Sequence, residues 1–149
     1  MTKALIAVGI ALALLIGGLG LAVYLTRDED NLEVDNMLAE NLTKAIALAQ
    51  SDTGGRVVLP SLTAFDWDRV LLVQQDTPVR AISRRIGYPW TGVVGFRTGD
   101  EFLFMKGRRV VRFADYRGDG RFAGFARPFA VLPRAHAVLR VRDLVVTPG

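Results

Sequence analysis

The chain has 149 residues, half of them hydrophobic, and a formal net charge of +4. It has no cysteine, which excludes disulfides, thiolate metal sites and a lipid attached to a cysteine. The charge is uneven, because residues 1–55 carry a net −4 and residues 56–149 a net +8. About 120 residues follow the apolar N-terminal run, which is enough for one small domain with a single core.

The first element in chain order is an uninterrupted apolar run from Ala4 to Leu25. A helix of about 20 apolar residues crosses the hydrocarbon core of a bilayer. Lys3 precedes the run and an acidic stretch follows it, so the positive-inside bias keeps the N-terminus in the cytoplasm. The sequence therefore predicts a signal-anchor helix over residues 4–26 of an inner-membrane protein, with residues 1–3 cytoplasmic and the C-terminal domain periplasmic, that is, extracytoplasmic.

The same run permits two further interpretations. A cleaved secretory signal is the alternative to an anchor, because Gly20-Leu21-Ala22 has the small-x-small pattern of a cleavage site. Small residues also recur every fourth position at Gly9, Ala13 and Gly17, which lets two such helices approach closely. A homodimer through these residues is therefore a candidate, in addition to the contact of residues 4–26 with membrane lipid.

The segment after the run predicts a connector and then a helix. Residues 27–35 are polar and acidic and form the connector, and residues 36–149 form the extracytoplasmic domain. Asp35 or Asn36 can cap a helix that ends near Gly54. Its apolar residues recur at spacings of three and four, which places them on one face that would cover a sheet: Leu38, Leu42, Ala45, Ile46 and Ala49.

Two extended segments and a second helix come next. The extended segments lie at residues 56–59 and 69–73. Thr77 and Pro78 have the pattern of an N-cap and a first helical residue, and Gly87 supplies a left-handed stop. The apolar face of this helix carries Val79, Ile82 and Ile86, and its outer face carries Arg80, Arg84 and Arg85.

The last third alternates strands with turns. Strands are predicted at residues 92–97, 101–106 and 108–114, followed by a long loop at 116–127 and a closing strand at 137–146. The fold class is α+β: an N-terminal transmembrane helix, then two helices packed on a largely antiparallel sheet of about five or six strands. We expect the second helix and the sheet to enclose Val70, Leu72, Ile82, Ile86, Phe102 and Phe104.

A recurrent pattern extends over residues 65–115. A Trp-Asp-basic-Val strand start at Trp67 is followed by Thr77, by a short helix ending at Gly87 and by a hairpin strand that begins near Asp100. In this pattern the chain resembles a loose group of small, mostly uncharacterised bacterial envelope proteins that are membrane-anchored or lipoprotein-type. The resemblance implies the architecture and the envelope location, and it implies no catalytic residue.

Few residues suggest chemistry. Asp66 and Asp68 flank Trp67 and would point to the same side of a strand start, as a pair for acid–base catalysis or cation binding would. Capping a turn and pairing with an arginine are the favoured roles of these two carboxylates. His136 is the single histidine, so no histidine pair can hold a metal. We therefore expect no enzyme, no metal site and no cofactor.

The arginines of the second helix are the candidate binding residues. Arg80, Arg84 and Arg85 have no acidic neighbour in the sequence between Asp76 and Asp100. Like charges four residues apart repel on a helix, and an external anion relieves that repulsion. The sequence therefore predicts that this helix face contacts a protein or another anionic component of the envelope.

These observations favour one class of function and leave an alternative. The favoured class is a single-pass, membrane-anchored extracytoplasmic binding or interaction module, for example an immunity-type inhibitor of a secreted toxin. The alternative is an accessory subunit of a membrane complex, held through its transmembrane helix. An enzyme that uses Asp66 and Asp68 is less favoured, and nucleic acid is not an expected partner outside the cytoplasm.

Overall fold

Two α-helices and eight β-strands occur in the computed structural model, which describes residues 32, 34–51, 55–92 and 99–149. The helices are α1 (Asn36–Gln50) and α2 (Val79–Ile86), and two short 3-10 helices span Leu59–Leu62 and Arg134–His136. The strands are β1 (Arg56–Val58), β2 (Arg69–Val73), β3 (Glu101–Lys106), β4 (Arg109–Asp115), β5 (Arg121–Phe122), β6 (Phe129–Pro133), β7 (Val138–Arg142) and β8 (Val145–Pro148). The predicted α+β class with two helices in the domain is confirmed.

Helix α1 begins where the sequence predicts it. The side-chain oxygen Oδ1 of Asp35 accepts a hydrogen bond from the Leu38 N–H at 2.9 Å, which satisfies one of the free donors of the first turn. The helix ends at Gln50, and Ser51 follows as its C-cap. Its buried face carries Leu38, Ala39, Leu42, Ile46 and Ala49. The predicted apolar face is therefore confirmed for four of its five residues, whereas Ala45 is only partly buried.

The strands form two four-stranded sheets, so the prediction of a single sheet of five or six strands is wrong. Sheet A has the order β1-β7-β8-β5 and sheet B the order β4-β3-β2-β6. All pairs of adjacent strands are antiparallel except β5 and β8, which run parallel. The 3-10 helix Leu59–Leu62 lies between β1 and β2, which belong to different sheets. Strand order depends on pairing between distant segments, which local patterns do not encode.

Sheet B is covered on both faces. The even-numbered residues of β2 and β3, such as Val70 and Phe104, belong to the main core with α1 and sheet A. The odd-numbered residues lie on the opposite face, where Ile86 of α2 and Leu71 line a common pocket. All six residues predicted for one core are buried, but they divide between the two faces. The prediction that they meet under the second helix is therefore wrong for Val70, Leu72, Phe102 and Phe104.

The C-terminal part differs from its prediction in three places, one of which is that β5 lies within the loop predicted at residues 116–127. The predicted closing strand at residues 137–146 is instead a hairpin, because β7 and β8 are joined by Asp143 and Leu144, both with positive φ (48° and 63°). Leucine is rarely found in this region, so the turn has no sequence signal. Strand β6 was not predicted.

Several predicted elements lie outside the described residues. These are the membrane span at residues 4–26, most of the connector at 27–35 and most of the strand at 92–97. Within the part of the chain that the structure describes, neither helix has both the length and the apolar character needed to traverse a bilayer. Residues 33–149 form one compact unit.

Candidate functional site: an arginine pocket on sheet B

Helix α2 positions two of the three candidate arginines at its C-terminal end. Arg84 and Arg85 lie in the last turn, where positive side chains complement the partial negative charge of the helix end. The helix stops at Gly87, which has a φ of 91° and donates its N–H to the Ser83 carbonyl at 2.8 Å. Ile82 and Ile86 are buried against sheet B, so the guanidinium groups are directed towards solvent.

Four arginines converge on one open pocket of about 330 Å³, which we call the arginine pocket. Arg84 and Arg85 come from α2, Arg69 from the start of β2, and Arg108 from the turn between β3 and β4. The buried side chains of Leu71, Ile86 and Met105 also line it, together with the exposed Val131 of β6. The lining thus combines three buried apolar side chains with four charged ones.

Two close backbone approaches shape the pocket. Arg69 donates from its Nη2 to the Gly107 carbonyl at 2.6 Å, which ties the start of β2 to the β3–β4 turn. A Cβ atom at Gly87 would lie 3.3 Å from the Nη2 of Arg108, so that guanidinium passes directly over the glycine. A side chain at Gly87 would therefore crowd Arg108, whereas a Cβ atom at Gly107 would meet no atom within 4 Å.

Three of these arginines have no acidic partner among the described residues. Ion pairs among the described residues include those of Lys44, Lys106, Arg112, Arg117 and Arg134, and Arg109 also has a partner. None of these interactions involves Arg84, Arg85 or Arg108. Asp68 precedes Arg69 in the chain, and its carboxylate is already bonded to Lys106 and to the Gly107 N–H. Arg84, Arg85 and Arg108 therefore bring positive charge to the pocket without a carboxylate partner among the described residues.

The predicted carboxylate pair forms a surface ion-pair cluster. Lys106 Nζ lies 2.9 Å from Asp66 Oδ2 and 2.9 Å from Asp68 Oδ1, and Arg134 Nη1 lies 3.6 Å from Asp66 Oδ1. The hydrogen bond from the Gly107 N–H lowers the pKa of Asp68 below its ordinary value, and that from Lys106 adds to the effect. The hydrogen bonds to Asp68 and Asp66 raise the pKa of Lys106. The cluster joins the segment before β2 to the β3–β4 turn.

The structure brings together a different set of arginines from the one predicted. Arg80 is exposed on the same helix but does not line the pocket, whereas Arg69 and Arg108 do. Sequence reasoning missed these two because they reach the pocket only through strand pairing, in which Arg69 lies opposite Met105. It also missed Glu101, which is only 1 % exposed at the start of β3.

His136, the single histidine of the chain, is exposed at the end of the second 3-10 helix. Across residues 34–51, 55–92 and 99–149, the structure contains no group of three or more His, Asp or Glu side chains that could hold a metal ion.

Comparison of the chain with protein-family models, with curated proteins and with solved structures finds no match. The arginine pocket is therefore interpreted from its own geometry and charge.

Proposed function

We propose that the protein is a single-pass, membrane-anchored binding module of the bacterial envelope, whose extracytoplasmic domain holds an acidic partner at the arginine pocket. One observation carries the proposal: Arg84, Arg85 and Arg108 converge on an open pocket and have no carboxylate partner among the described residues. Guanidinium groups bind carboxylates through paired, planar hydrogen bonds, so such a cluster is suited to an external anion.

The membrane anchor in this proposal rests on the sequence. The apolar run from Ala4 to Leu25 is long enough to cross a bilayer as a helix, and the positive-inside bias orients the domain outward. A tethered domain with a complementary surface is sufficient for a binding role, including that of an immunity-type inhibitor. An accessory subunit held through the span is the alternative, and there the span and not the pocket would make the contact.

Site-specific crosslinking tests the proposal. A photoreactive amino acid at position 80 lies on α2 beside the pocket without replacing a residue that lines it. The matched control carries the same group at position 140, an exposed arginine position on β7 of sheet A. In membranes, we expect the group at position 80 to form a discrete protein adduct and the group at position 140 to form none. The adduct from position 80 should be lost when Arg84, Arg85 and Arg108 are changed to glutamine.

Two results would contradict the proposal. Equal adducts from both positions would show non-specific contact, and no adduct from position 80 would show that α2 does not meet a protein. An adduct that forms only from positions within the apolar run would favour the accessory subunit.

A further inference from the structure

The arginine pocket lies beside an open sheet edge. Among the described strands, β6 is the last of sheet B and is paired only with β2. Val131, at the centre of β6, lies opposite Leu71, and both side chains line the pocket. The side chain of Val131 is 41 % exposed, unlike that of Leu71, which is buried. An incoming segment at this edge would therefore place its side chains next to the arginines.

The hydrogen-bond pattern shows which backbone groups of β6 are available. Gln74 donates its N–H to the Pro128 carbonyl at 3.1 Å, and Arg134 donates its N–H to the Asp68 carbonyl at 2.8 Å. Bonded and non-bonded pairs alternate along an antiparallel ladder. The pair of Leu71 and Val131 is therefore a non-bonded one, and the N–H and carbonyl of Val131 point outward, where no described strand lies.

We propose that the arginine pocket and the outer edge of β6 together bind an extended segment of a partner protein with glutamate at alternate positions. The segment pairs with Val131 through its backbone, as an added strand does. Its glutamates point to the α2 side of sheet B, because side chains of a strand alternate between faces. This inference rests on the proposed binding function and specifies the class of partner.

Glutamate fits both parts of the pocket. Its two methylenes can cover the apolar surface of Leu71 and Val131, while its carboxylate reaches the guanidinium groups above them. An anion without an apolar stem would leave that surface exposed to water. An apolar side chain alone would leave Arg84, Arg85 and Arg108 without an acidic partner.

The test measures binding of a short fluorescein-labelled peptide that alternates glutamate with valine. Fluorescence anisotropy is recorded with the full-length chain in a neutral detergent. Two control peptides carry either glutamine in place of glutamate or methyl groups on the backbone nitrogens. We expect saturable binding that weakens as salt rises, and at least a tenfold loss with either control, about the loss of one charge-assisted hydrogen bond or more.

Variants of the protein separate the two parts of the site. Peptide binding should weaken at least tenfold in a triple variant with Arg84→Gln, Arg85→Gln and Arg108→Gln. The control triple variant removes the same charge from sheet A, with Arg121→Gln, Arg140→Gln and Arg142→Gln. Its binding should not change. Val131→Pro removes the outward N–H without breaking a bond to β2, and Val131→Thr retains it. Of these two variants at position 131, we expect only Val131→Pro to lose peptide binding.

Four outcomes would overturn the inference. Unchanged binding of the N-methylated peptide would remove the edge pairing. Concentration-dependent dimers that Val131→Pro abolishes, with no peptide bound, would make a second copy of the chain the occupant. Binding only to phosphatidylcholine vesicles that contain phosphatidylserine would make lipid the occupant. A position-80 adduct together with no peptide binding would leave the proposed function intact and reject this segment class.

Discussion

Asp68 Oδ2 accepts a hydrogen bond from the Gly107 N–H at 2.6 Å, although the two residues are 39 positions apart in the chain. The same carboxylate accepts a hydrogen bond from Lys106 Nζ at 2.9 Å through its other oxygen. Asp68 thus joins the segment before β2 to the turn that supplies Arg108 to the arginine pocket. Its ionised form is the one that the fold stabilises.

The first prediction concerns how the stability of the fold changes at acid pH. Because the pKa of Asp68 is lowered from 3.8 in the folded state, the unfolded chain binds more protons near that pH. The contribution of Asp68 is fully present above pH 3.8 and is lost as pH falls through the folded pKa. The melting-temperature gap between wild type and Asp68→Asn should stay constant from neutral pH to about pH 5 and then narrow.

Asp76→Asn is the matched control, because Asp76 is an exposed carboxylate in the turn before α2. Its melting temperature should stay close to that of wild type across the same pH range. A gap for Asp68→Asn that widens below pH 4 would contradict the assigned direction of the pKa shift.

The second prediction concerns the two faces of sheet B. Phe104 is 1 % exposed and contacts Phe65 and Trp67 edge to face, at centroid distances of 5.5 and 5.1 Å. Phe104→Ala should cost about 3–5 kcal/mol of unfolding free energy and Ile86→Ala about 2–5 kcal/mol. Because the two side chains lie on opposite faces, the costs should add to within about 0.5 kcal/mol in the double variant.

Thermal unfolding followed by near-ultraviolet circular dichroism measures these costs. Met37→Ala, on the exposed side of α1, is the control and should change stability by less than about 0.5 kcal/mol. A large coupling between Phe104→Ala and Ile86→Ala would indicate one shared core and contradict the division between faces.

The third prediction concerns the turn between β7 and β8. Leu144 is exposed and has a φ of 63°, a conformation that costs about 1–2 kcal/mol for a residue with a Cβ. Leu144→Gly should relieve this cost and lose part of the gain to the greater freedom of the unfolded chain. A net stabilisation of about 0.5–1 kcal/mol is expected in thermal unfolding.

Leu48→Gly provides the opposite control, because Leu48 is also exposed but lies within α1. There glycine should destabilise by about 1 kcal/mol. If both glycine variants destabilise equally, Leu144 does not hold the left-handed turn.

The fourth prediction concerns the membrane span proposed for residues 4–26. A reporter that fluoresces only in the cytoplasm, fused after Gly149, should stay dark, while one that is active only after export should work. The two signals should exchange when the charges that flank the span are reversed. This variant carries Lys3→Glu and has lysine in place of Asp28, Glu29 and Asp30. A bright cytoplasmic fusion on the wild-type chain would reverse the proposed orientation.

The sequence by itself determined the elements whose signals are local. An aspartate at position 35 and an apolar repeat define α1, and Gly87 defines the end of α2. Strand β3 lies at residues 101–106, as predicted, between turns that the sequence marks with glycine. Caps, glycine stops and periodicity act within one or two turns of the chain, so they can be recognised without knowing the fold.

Only the tertiary structure decided which arginines meet and which face each apolar residue covers. Arg69 and Arg108 join Arg84 and Arg85 because β2 pairs with β3 in one register, and a shift of one residue would place Arg69 on the other face. The edge at Val131 likewise exists only because β6 is the last of the described strands in sheet B. Pairing between distant strands selects these arrangements by the total apolar surface buried, and no short stretch of sequence contains that information.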